Sequence, residues 1–208
     1  MILSLHDVTV QYEEKTVIDT LSFQVDRGEI LCLKGHSGCG KTSVINAVMG
    51  FVPFTGEITV MEKHLTDSTV DEIRRHIAYI PQELALPQET VLDMVRLPFS
   101  LKSNRHVSFS EKLLFDEWKM LNLEPELLSR GTNEISGGQR QRIMLSVAGL
   151  LGKDLLLIDE PTSALDTGSV QLVLDYLHYL ASERGMAIVA ASHHSEISNG
   201  STKVIDFD

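Results

Sequence analysis

Residues 35–42, GHSGCGKT, could bind the phosphates of a nucleotide. They fit the pattern G-x-x-x-x-G-K-[ST] at every fixed position. Glycines let the backbone curl so that successive N–H groups point inward and donate to phosphate oxygens. Lys41 would reach the β and γ phosphates, and the hydroxyl of Thr42 would bind Mg²⁺. A glycine-rich turn that only joins two elements is the alternative, and the flanking residues argue against it.

The segments on either side of this loop have the patterns that a phosphate site needs. Residues 29–34, EILCLK, form a short apolar run typical of a buried strand. Residues 43–49 have the pattern of an amphipathic helix that ends at Gly50. The positive end of that helix adds to the N–H groups of the loop. We therefore predict a strand, a phosphate-binding loop and a helix in this order.

A second glycine-containing stretch, residues 136–142, also precedes a run of apolar residues at helical spacing. Ser136 can cap that helix, and Gly137 and Gly138 leave backbone N–H groups exposed at its positive end. An ordinary helix cap is the alternative. The chain thus carries two candidate phosphate sites.

Two adjacent carboxylates, Asp159 and Glu160, follow the apolar run 155–158 and precede Pro161. The run predicts a buried parallel strand. Side chains alternate along a strand, so both acids can reach one site only if the chain turns at once, which Pro161 favours. Asp159 would then hold Mg²⁺ through water, and Glu160 would take a proton from the water that attacks the γ phosphate. Solvated acids at a strand end are the alternative.

Polar side chains also follow two other predicted strands. Gln82 comes after the strand 77–80, where an amide can be aimed into a site, although a surface glutamine is common. His193 and His194 follow an apolar strand that begins at residue 186, and a histidine there could contact the γ phosphate. With Glu196 they suggest a metal site, but their spacing matches no recognised ligand pattern, so we predict none.

The remaining segments indicate what holds these residues in place. Residues 2–12 and 16–25 alternate apolar and polar side chains, which predicts antiparallel strands. Tyr12, at the end of the first, could pack at a sheet edge, the usual case, or stack on a purine. Residues 90–128 have helical spacing, broken by Pro98 and a polar stretch, and predict a helical insertion. We expect its core to contain Leu84, Leu86, Phe99, Phe109 and Trp118.

Composition excludes several classes of protein. The 208 residues are enough for a substantial core, and no apolar run approaches the roughly 20 residues that span a bilayer. The N-terminus lacks the features of a signal peptide, and two cysteines do not suggest a disulfide framework. We therefore expect a chain that is neither secreted nor membrane-spanning. A formal net charge of −11 argues against nucleic acid as a partner.

Taken in order, the motifs resemble those of the ATP-binding subunits of ABC transporters. The resemblance covers essentially the whole chain. It rests on Walker A at 35–42, the Q-loop at Gln82, the LSGGQ signature at 135–139, Walker B at 155–160, the D-loop at 163–166 and the switch histidine at His193. Two residues depart from the family pattern. Ile135 replaces the usual leucine, and His194 stands where an acidic residue is usual, so His194 is the alternative switch residue.

The resemblance implies how ATP is bound. Tyr12 would stack on adenine with Val17 close by, which reverses the preference for packing, and Ser43 would touch the α phosphate. The phosphate-binding loop would consist of Gly35, His36, Ser37, Gly38, Cys39, Gly40, Lys41 and Thr42.

The resemblance also implies how ATP is hydrolysed. Glu160 would be the catalytic base, with His193 and Gln82 completing the catalytic set. Mg²⁺ would be held by Thr42 and Gln82 and, through water, by Asp159.

Further implications concern partners. The signature residues would face the γ phosphate bound by another subunit, so that ATP joins two chains head to tail. The second chain would be a copy or a paralogue, and both would serve a separate membrane permease from the cytoplasm, at the inner face of the membrane. The signature residues that close the site are Ser136, Gly137, Gly138 and Gln139.

The fold implied is an α/β P-loop NTPase with a RecA-like mixed core, an N-terminal antiparallel β subdomain and an inserted helical subdomain. A single domain would span residues 1–208, with the helical subdomain at about 84–151. The compact chain is similar to small bacterial ATPases of the iron-efflux kind. The alternatives are a soluble non-transport ABC ATPase in DNA repair or on the ribosome, and a small-molecule P-loop kinase. The first usually carries coiled-coil insertions or two ATPase halves, and the second has no need of the signature.

Overall fold

The structure, a computed structural model, describes residues 1–13, 15–83 and 89–207. The strands in these ranges are β1 (Leu3–Tyr12), β2 (Lys15–Val25), β3 (Ile30–Lys34), β4 (Thr55–Val60), β5 (Lys63–His64), β6 (Ile77–Ile80), β7 (Leu155–Asp159), β8 (Ala187–Ser192) and β9 (Lys203–Asp206). The helices are α1 (Lys41–Val48), α2 (Val70–Ile73), α3 (Val91–Ser100), α4 (Glu111–Met120), α5 (Gly137–Leu151), α6 (Thr167–Ser182) and α7 (Ser195–Asn199).

A five-stranded parallel sheet in the order β6-β7-β8-β3-β9 forms the core. Helices cover a parallel sheet on both faces, so its strands are apolar on both sides. Alternate strand residues face the side that carries α3 to α6, namely Ile30, Cys32, Leu156, Ile158, Ile188 and Ala190. The residues between them face α1 and the second sheet, namely Leu31, Leu33, Leu155, Leu157, Ala187 and Val189. The buried strands predicted around the site residues are confirmed.

The second sheet is antiparallel, in the order β2-β1-β4-β5. β1 pairs with β2 along its length, from Leu3 opposite Val25 to Tyr12 opposite Lys15. The two predicted N-terminal strands are therefore confirmed. β4 begins at Thr55, which pairs with Thr9 of β1.

Helices α3 and α4 precede α5 in the chain and pack on it. The indole N–H of buried Trp118 donates to the Ser146 hydroxyl of α5 at 3.1 Å. Phe99 is also buried, and its ring lies 5.4 Å from that of Phe109. The helical insertion is confirmed in this part, whereas Leu84 and Leu86 lie outside the described residues.

Proline does not break α3 as we predicted. Pro98 lies inside the helix, and the chain becomes extended only at Leu101. Pro98 removes one N–H donor from the helix, and only two helical residues follow it.

One predicted helix boundary also differs. α1 begins at Lys41 rather than Ser43, because the left-handed Gly40 precedes it and accepts the N–H of Val44. α6 ends at Ser182, and Gly185, at φ 65°, follows that helix end. The Met186 N–H donates to the carbonyl of Leu180.

A buried polar cluster joins α4, α5 and α6. The carboxylate of Glu117, only 3% exposed, accepts hydrogen bonds from the hydroxyl of Tyr176 and the guanidinium of Arg184. Arg184 also donates to the carbonyl of Gly149 in α5 at 2.9 Å. Burial raises the pKa of Tyr176 far above its ordinary value, with the Glu117 charge adding to the effect, so its hydroxyl is a permanent donor. These bonds satisfy a charge that would otherwise be costly to bury.

No helix in the described part of the chain is both long and apolar enough to cross a bilayer.

Replacing Tyr176 with Phe should destabilise the protein by about 1–3 kcal/mol, because one oxygen of the buried Glu117 carboxylate loses its donor. Denaturant unfolding measures the change. Tyr12→Phe is the matched control, since the Tyr12 side chain is exposed, and its unfolding midpoint should stay at the wild-type value. Equal stability of the two variants would contradict the structural role of the cluster.

Candidate nucleotide-binding site

The carboxyl ends of β3, β7 and β8 lie side by side, since they are neighbours in a parallel sheet. A cleft of about 230 Å³ opens at this edge. Every described residue that lines it is one that the sequence predicted: Tyr12, Val17, Ser37, Gly38, Gly40, Lys41, Thr42, Ser43, Gln82, Asp159, Glu160 and His193. Three loop residues, Gly35, His36 and Cys39, and the signature residues 136–139 are not among the described lining residues.

The loop between β3 and α1 has the backbone that a phosphate cradle requires. Gly40 has φ 111°, and a Cβ atom there would lie 2.6 Å from the Ile18 side chain and 3.1 Å from the Val17 carbonyl oxygen. Only glycine fits this position. Because Gly40 is held against β2, the loop directs the start of α1 towards the cleft.

Lys41 reaches back along the loop although it is almost entirely buried. Its ammonium donates to the carbonyl oxygens of Gly35 at 2.7 Å and His36 at 2.9 Å. The same nitrogen lies 3.8 Å from the Glu160 carboxylate. The loop thus places a buried cation beside a buried anion at the point where the two motifs meet.

Thr42 and Asp159 are in direct contact across the cleft. The Thr42 hydroxyl donates to Asp159 Oδ2 at 2.7 Å. Burial raises the pKa of Asp159, and the neighbouring charge of Glu160 acts in the same direction, while the Thr42 bond and Lys41 oppose the rise. A hydroxyl and a carboxylate form the kind of oxygen donor set that Mg²⁺ prefers.

The chain turns at Glu160, as the following proline indicated. Glu160 has φ 49°, a left-handed backbone that costs a non-glycine residue about 1–3 kcal/mol. Its N–H donates to the Ala191 carbonyl oxygen at 2.8 Å, which ties the turn to the end of β8. The turn brings both acids to one cleft, where a continued strand would have pointed them to opposite faces.

The two histidines after β8 occupy different positions. His193 Nδ1 lies 3.0 Å from each carboxylate oxygen of Glu160, and the residue lines the cleft. His194 is half-buried beside it, with 4.1 Å between the ring centroids, and is not among the described residues that line the cleft. Of the two alternatives, His193 is therefore the one that contacts Glu160 within the cleft.

The signature residues cap α5 away from the cleft. The Ser136 hydroxyl accepts the Gln139 N–H, and the Gln139 side chain accepts the Ser136 N–H, so the two form a reciprocal capping box. A Cβ atom on Gly138 would lie 2.9 Å from the Ala164 carbonyl oxygen, so glycine is required for the D-loop to approach this closely. The helix cap is confirmed, and the same contact places the signature beside residues 163–166.

Gln141, which belongs to none of the predicted site residues, connects α5 to the cleft. Its side chain is 5% exposed and donates to the Glu160 carbonyl oxygen at 2.8 Å. The Ser163 hydroxyl donates to the same oxygen at 3.2 Å. A buried glutamine on a helix that follows SGG is the only sequence signal for this contact, and it does not identify the partner.

The acidic residue that meets the two histidines is not the one nearest to them in the sequence. Among the described residues, the acid whose carboxylate oxygen lies within 4.8 Å of ring nitrogens of both His193 and His194 is not Glu196 but Glu160, at the end of β7. The two segments are 33 positions apart, so sequence spacing could not reveal the cluster.

Comparison with known proteins agrees with this geometry. The sequence pattern of the family described as "ABC transporter" matches residues 18–163. The chain is 32% identical to the ABC transporter ATP-binding protein YtrE of Bacillus subtilis, over 89% of this chain and 82% of that protein. It is 31% identical to the Fe(3+) ions import ATP-binding protein FbpC of Haemophilus influenzae, over 95% of this chain but only 57% of that protein.

Among solved structures, the fold matches a dimeric ATP-binding cassette in a post-hydrolysis state, bound to ADP and Pi. The TM-score is 0.85 at 26% identity, and the match covers 99% of this chain and 94% of the other. The P-loop ATPase fold with its parallel and antiparallel sheets is thus confirmed. The chain belongs to the ABC transporter family, as an ATP-binding and ATP-hydrolysing subunit.

Proposed function

We propose that this chain binds Mg-ATP at residues 35–42, hydrolyses it with Glu160 as general base, and drives a separate membrane permease as half of a head-to-tail dimer. One observation carries the proposal. The buried carboxylate of Glu160 lies between Lys41 and His193, at 3.8 and 3.0 Å, in the cleft that also holds the Thr42–Asp159 pair.

Nucleotide binding follows from the shape of the cleft. Tyr12 is 41% exposed and lines one end together with Val17, where its ring offers an apolar face for adenine. The loop N–H groups and the start of α1 face the phosphates, with Ser43 at the α phosphate. Lys41 exchanges its two carbonyl partners for phosphate oxygens, which are stronger acceptors because they are charged.

The residues around the Thr42–Asp159 pair fit Mg²⁺. The hydroxyl of Thr42, the amide oxygen of Gln82 and, through water, the carboxylate of Asp159 would hold it, all by oxygen. When bound, Mg²⁺ neutralises charge on the β and γ phosphates.

Hydrolysis depends on Glu160 and its partners. The carboxylate orients a water molecule at the γ phosphate and accepts its proton. His193, hydrogen-bonded to that carboxylate, contacts the γ phosphate from the end of β8. Lys41 stabilises the negative charge that builds on the phosphoryl oxygens.

In the dimer, the second chain would supply signature residues, which are not among the described residues that line the cleft of their own chain. Ser136 and the glycines after it expose N–H groups at the N-terminus of α5, outside their own cleft. We infer that they close over the γ phosphate held by a second copy or a paralogue. A solved relative is a dimeric cassette, which supports this arrangement.

The permease is inferred from the relatives, which are named as transporter subunits, and this disfavours the non-transport alternative. Its contact would lie at a hollow of about 240 Å³ between β6, α3 and α5, lined by Tyr79, Pro98, Leu101 and Met144. Leu101, 50% exposed, offers apolar surface there to a helix of the permease. The subunit would thus work at the inner face of the membrane.

Glu160→Gln should lower ATP turnover by about 100-fold or more, because an amide cannot accept the proton. ATP affinity should be retained, and the variant should form an ATP-bound dimer. Phosphate release and light scattering measure the two effects. Glu196→Gln, an exposed acid in α7, is the control and should hydrolyse ATP like the wild type. Turnover near the wild-type rate in Glu160→Gln would rule out Glu160 as the base.

Tyr12→Ala should weaken ATP binding by about tenfold to 100-fold, since base stacking on an aromatic ring contributes about 1–3 kcal/mol. Tyr12→Phe should bind as the wild type does. Competition titrations with ATP and with inorganic tripolyphosphate separate stacking from phosphate binding. If Tyr12→Ala loses affinity for tripolyphosphate to the same extent, Tyr12 does not act on the base.

Ser136→Asp should abolish the ATP-induced dimer in the Glu160→Gln background while leaving ATP affinity unchanged. Aspartate caps a helix as well as serine does, so α5 stays capped, but its charge repels the γ phosphate of the second chain. Ser110→Asp is the matched control, because Ser110 caps α4 in the same way. A dimer that persists in Ser136→Asp would contradict the proposal that the signature residues lie at the dimer interface.

A further inference from the structure

Three metal-ligating side chains converge at the ends of β7 and β8. Glu160, His193 and His194 each offer one ligand atom, and these atoms lie within 4.8 Å of one another. Glu160 is buried, His194 is half-buried and His193 is more exposed, so the cluster is open to solvent on the His193 side. Glu160 and His193 also belong to the proposed hydrolytic site, whereas His194 is a third ligand group that neither the ATPase chemistry nor the sequence motifs require.

The spacing suits a small metal ion. Zinc binds imidazole nitrogen and carboxylate oxygen at about 2.0–2.2 Å, so two ligands of a tetrahedral site lie about 3.3 Å apart. His193 Nδ1 is 3.0 Å from both Glu160 oxygens, close to that separation. A metal can therefore replace the hydrogen bond between them with small movements. The ring centroids of His193 and His194 lie 4.1 Å apart. Rotation of the His194 side chain then provides a ring nitrogen as the third ligand.

The chemistry of the ligands selects the metal. Imidazole suits Zn²⁺, Cu²⁺ and Ni²⁺, whereas Mg²⁺ prefers oxygen and a more regular octahedron. The cluster is thus distinct from the Thr42 and Asp159 oxygens. The positive charge of Lys41, 3.8 Å from Glu160, repels a metal ion at the cluster. The negative charges of Glu160 and nearby Asp159 offset this repulsion. Three protein ligands also leave a fourth position for solvent, as in open zinc sites.

We propose that Glu160, His193 and His194 form a binding site for a transition-metal dication such as Zn²⁺, and that its occupancy blocks ATP hydrolysis. A metal on Glu160 removes the lone pairs that would accept the proton of water, and it fixes the ring of His193 away from the γ phosphate. The inhibitory effect rests on the proposed function, whereas metal binding itself does not.

Binding is tested without nucleotide, by calorimetric titration of the full chain with Zn²⁺. His194→Asn should weaken the affinity by at least about tenfold, since it removes one of three ligands. His6→Asn, an exposed histidine in β1, and Cys39→Ser, the loop thiol, are the controls and should bind Zn²⁺ as the wild type does. Unchanged affinity in His194→Asn, or a loss confined to Cys39→Ser, would overturn the proposed site.

Inhibition is tested by phosphate release at saturating Mg-ATP with increasing Zn²⁺. His194→Asn should keep basal turnover and need at least about tenfold more Zn²⁺ for half-inhibition than the wild type or His6→Asn. Equal sensitivity of His194→Asn and the wild type would contradict control of the ATPase through this cluster.

Glu160→Gln separates the two proposals. If it still hydrolyses ATP, the proposed base is wrong, while a loss of Zn²⁺ affinity in the same variant still supports the metal site.

Discussion

The N–H of Glu160 donates to the carbonyl oxygen of Ala191 at 2.8 Å, while the backbone of Glu160 is held in the left-handed region at φ 49°. This bond lies at the end of the ladder between β7 and β8, where Asp159 is paired with Ala191. It stabilises a conformation that is unfavourable for glutamate. Without the turn, Asp159 and Glu160 would point to opposite faces of the sheet, and their carboxylates would not share a cleft.

The position of this turn depends on how deeply the strands are buried. β7 and β8 carry apolar side chains on both faces and pair in parallel from Leu155 opposite Ala187 to Asp159 opposite Ala191, so both strands reach the cleft at their carboxyl ends. The parallel register then fixes which backbone atoms meet at the carboxyl edge. The ends of two buried strands hold the Glu160 carboxylate and His193 Nδ1 3.0 Å apart, which mobile loops alone would not do.

Local patterns in the sequence predicted most of the fold and most residues of the cleft. The GHSGCGKT loop and the strand ending in two acids carry their own geometry, because glycine, proline and strand alternation are local effects. Features that depend on packing between distant segments were missed. Gln141 donates to the Glu160 carbonyl only because α5 packs beside β7, and a ring nitrogen of His194 lies within 4.8 Å of the Glu160 carboxylate only because β7 and β8 are neighbours. The helix beginning at Lys41 also required the backbone of Gly40, which the pattern of apolar residues does not reveal.

One carbonyl oxygen links the signature helix and the D-loop to the cleft. The Glu160 carbonyl accepts from Gln141, one turn into the signature helix, and from Ser163 at the D-loop, while its carboxylate belongs to the cleft. Gly138 packs on Ala164, so the signature helix and the D-loop are in direct contact. These contacts join the N-terminal part of α5 to the residue whose carboxylate lies in the cleft of the same chain. In the head-to-tail dimer that we propose, a second chain that presses on residues 136–139 would therefore act on the backbone of Glu160. Because that backbone is held in an unfavourable conformation by its neighbours, the same contacts would link the position of the Glu160 carboxylate to closure of the dimer.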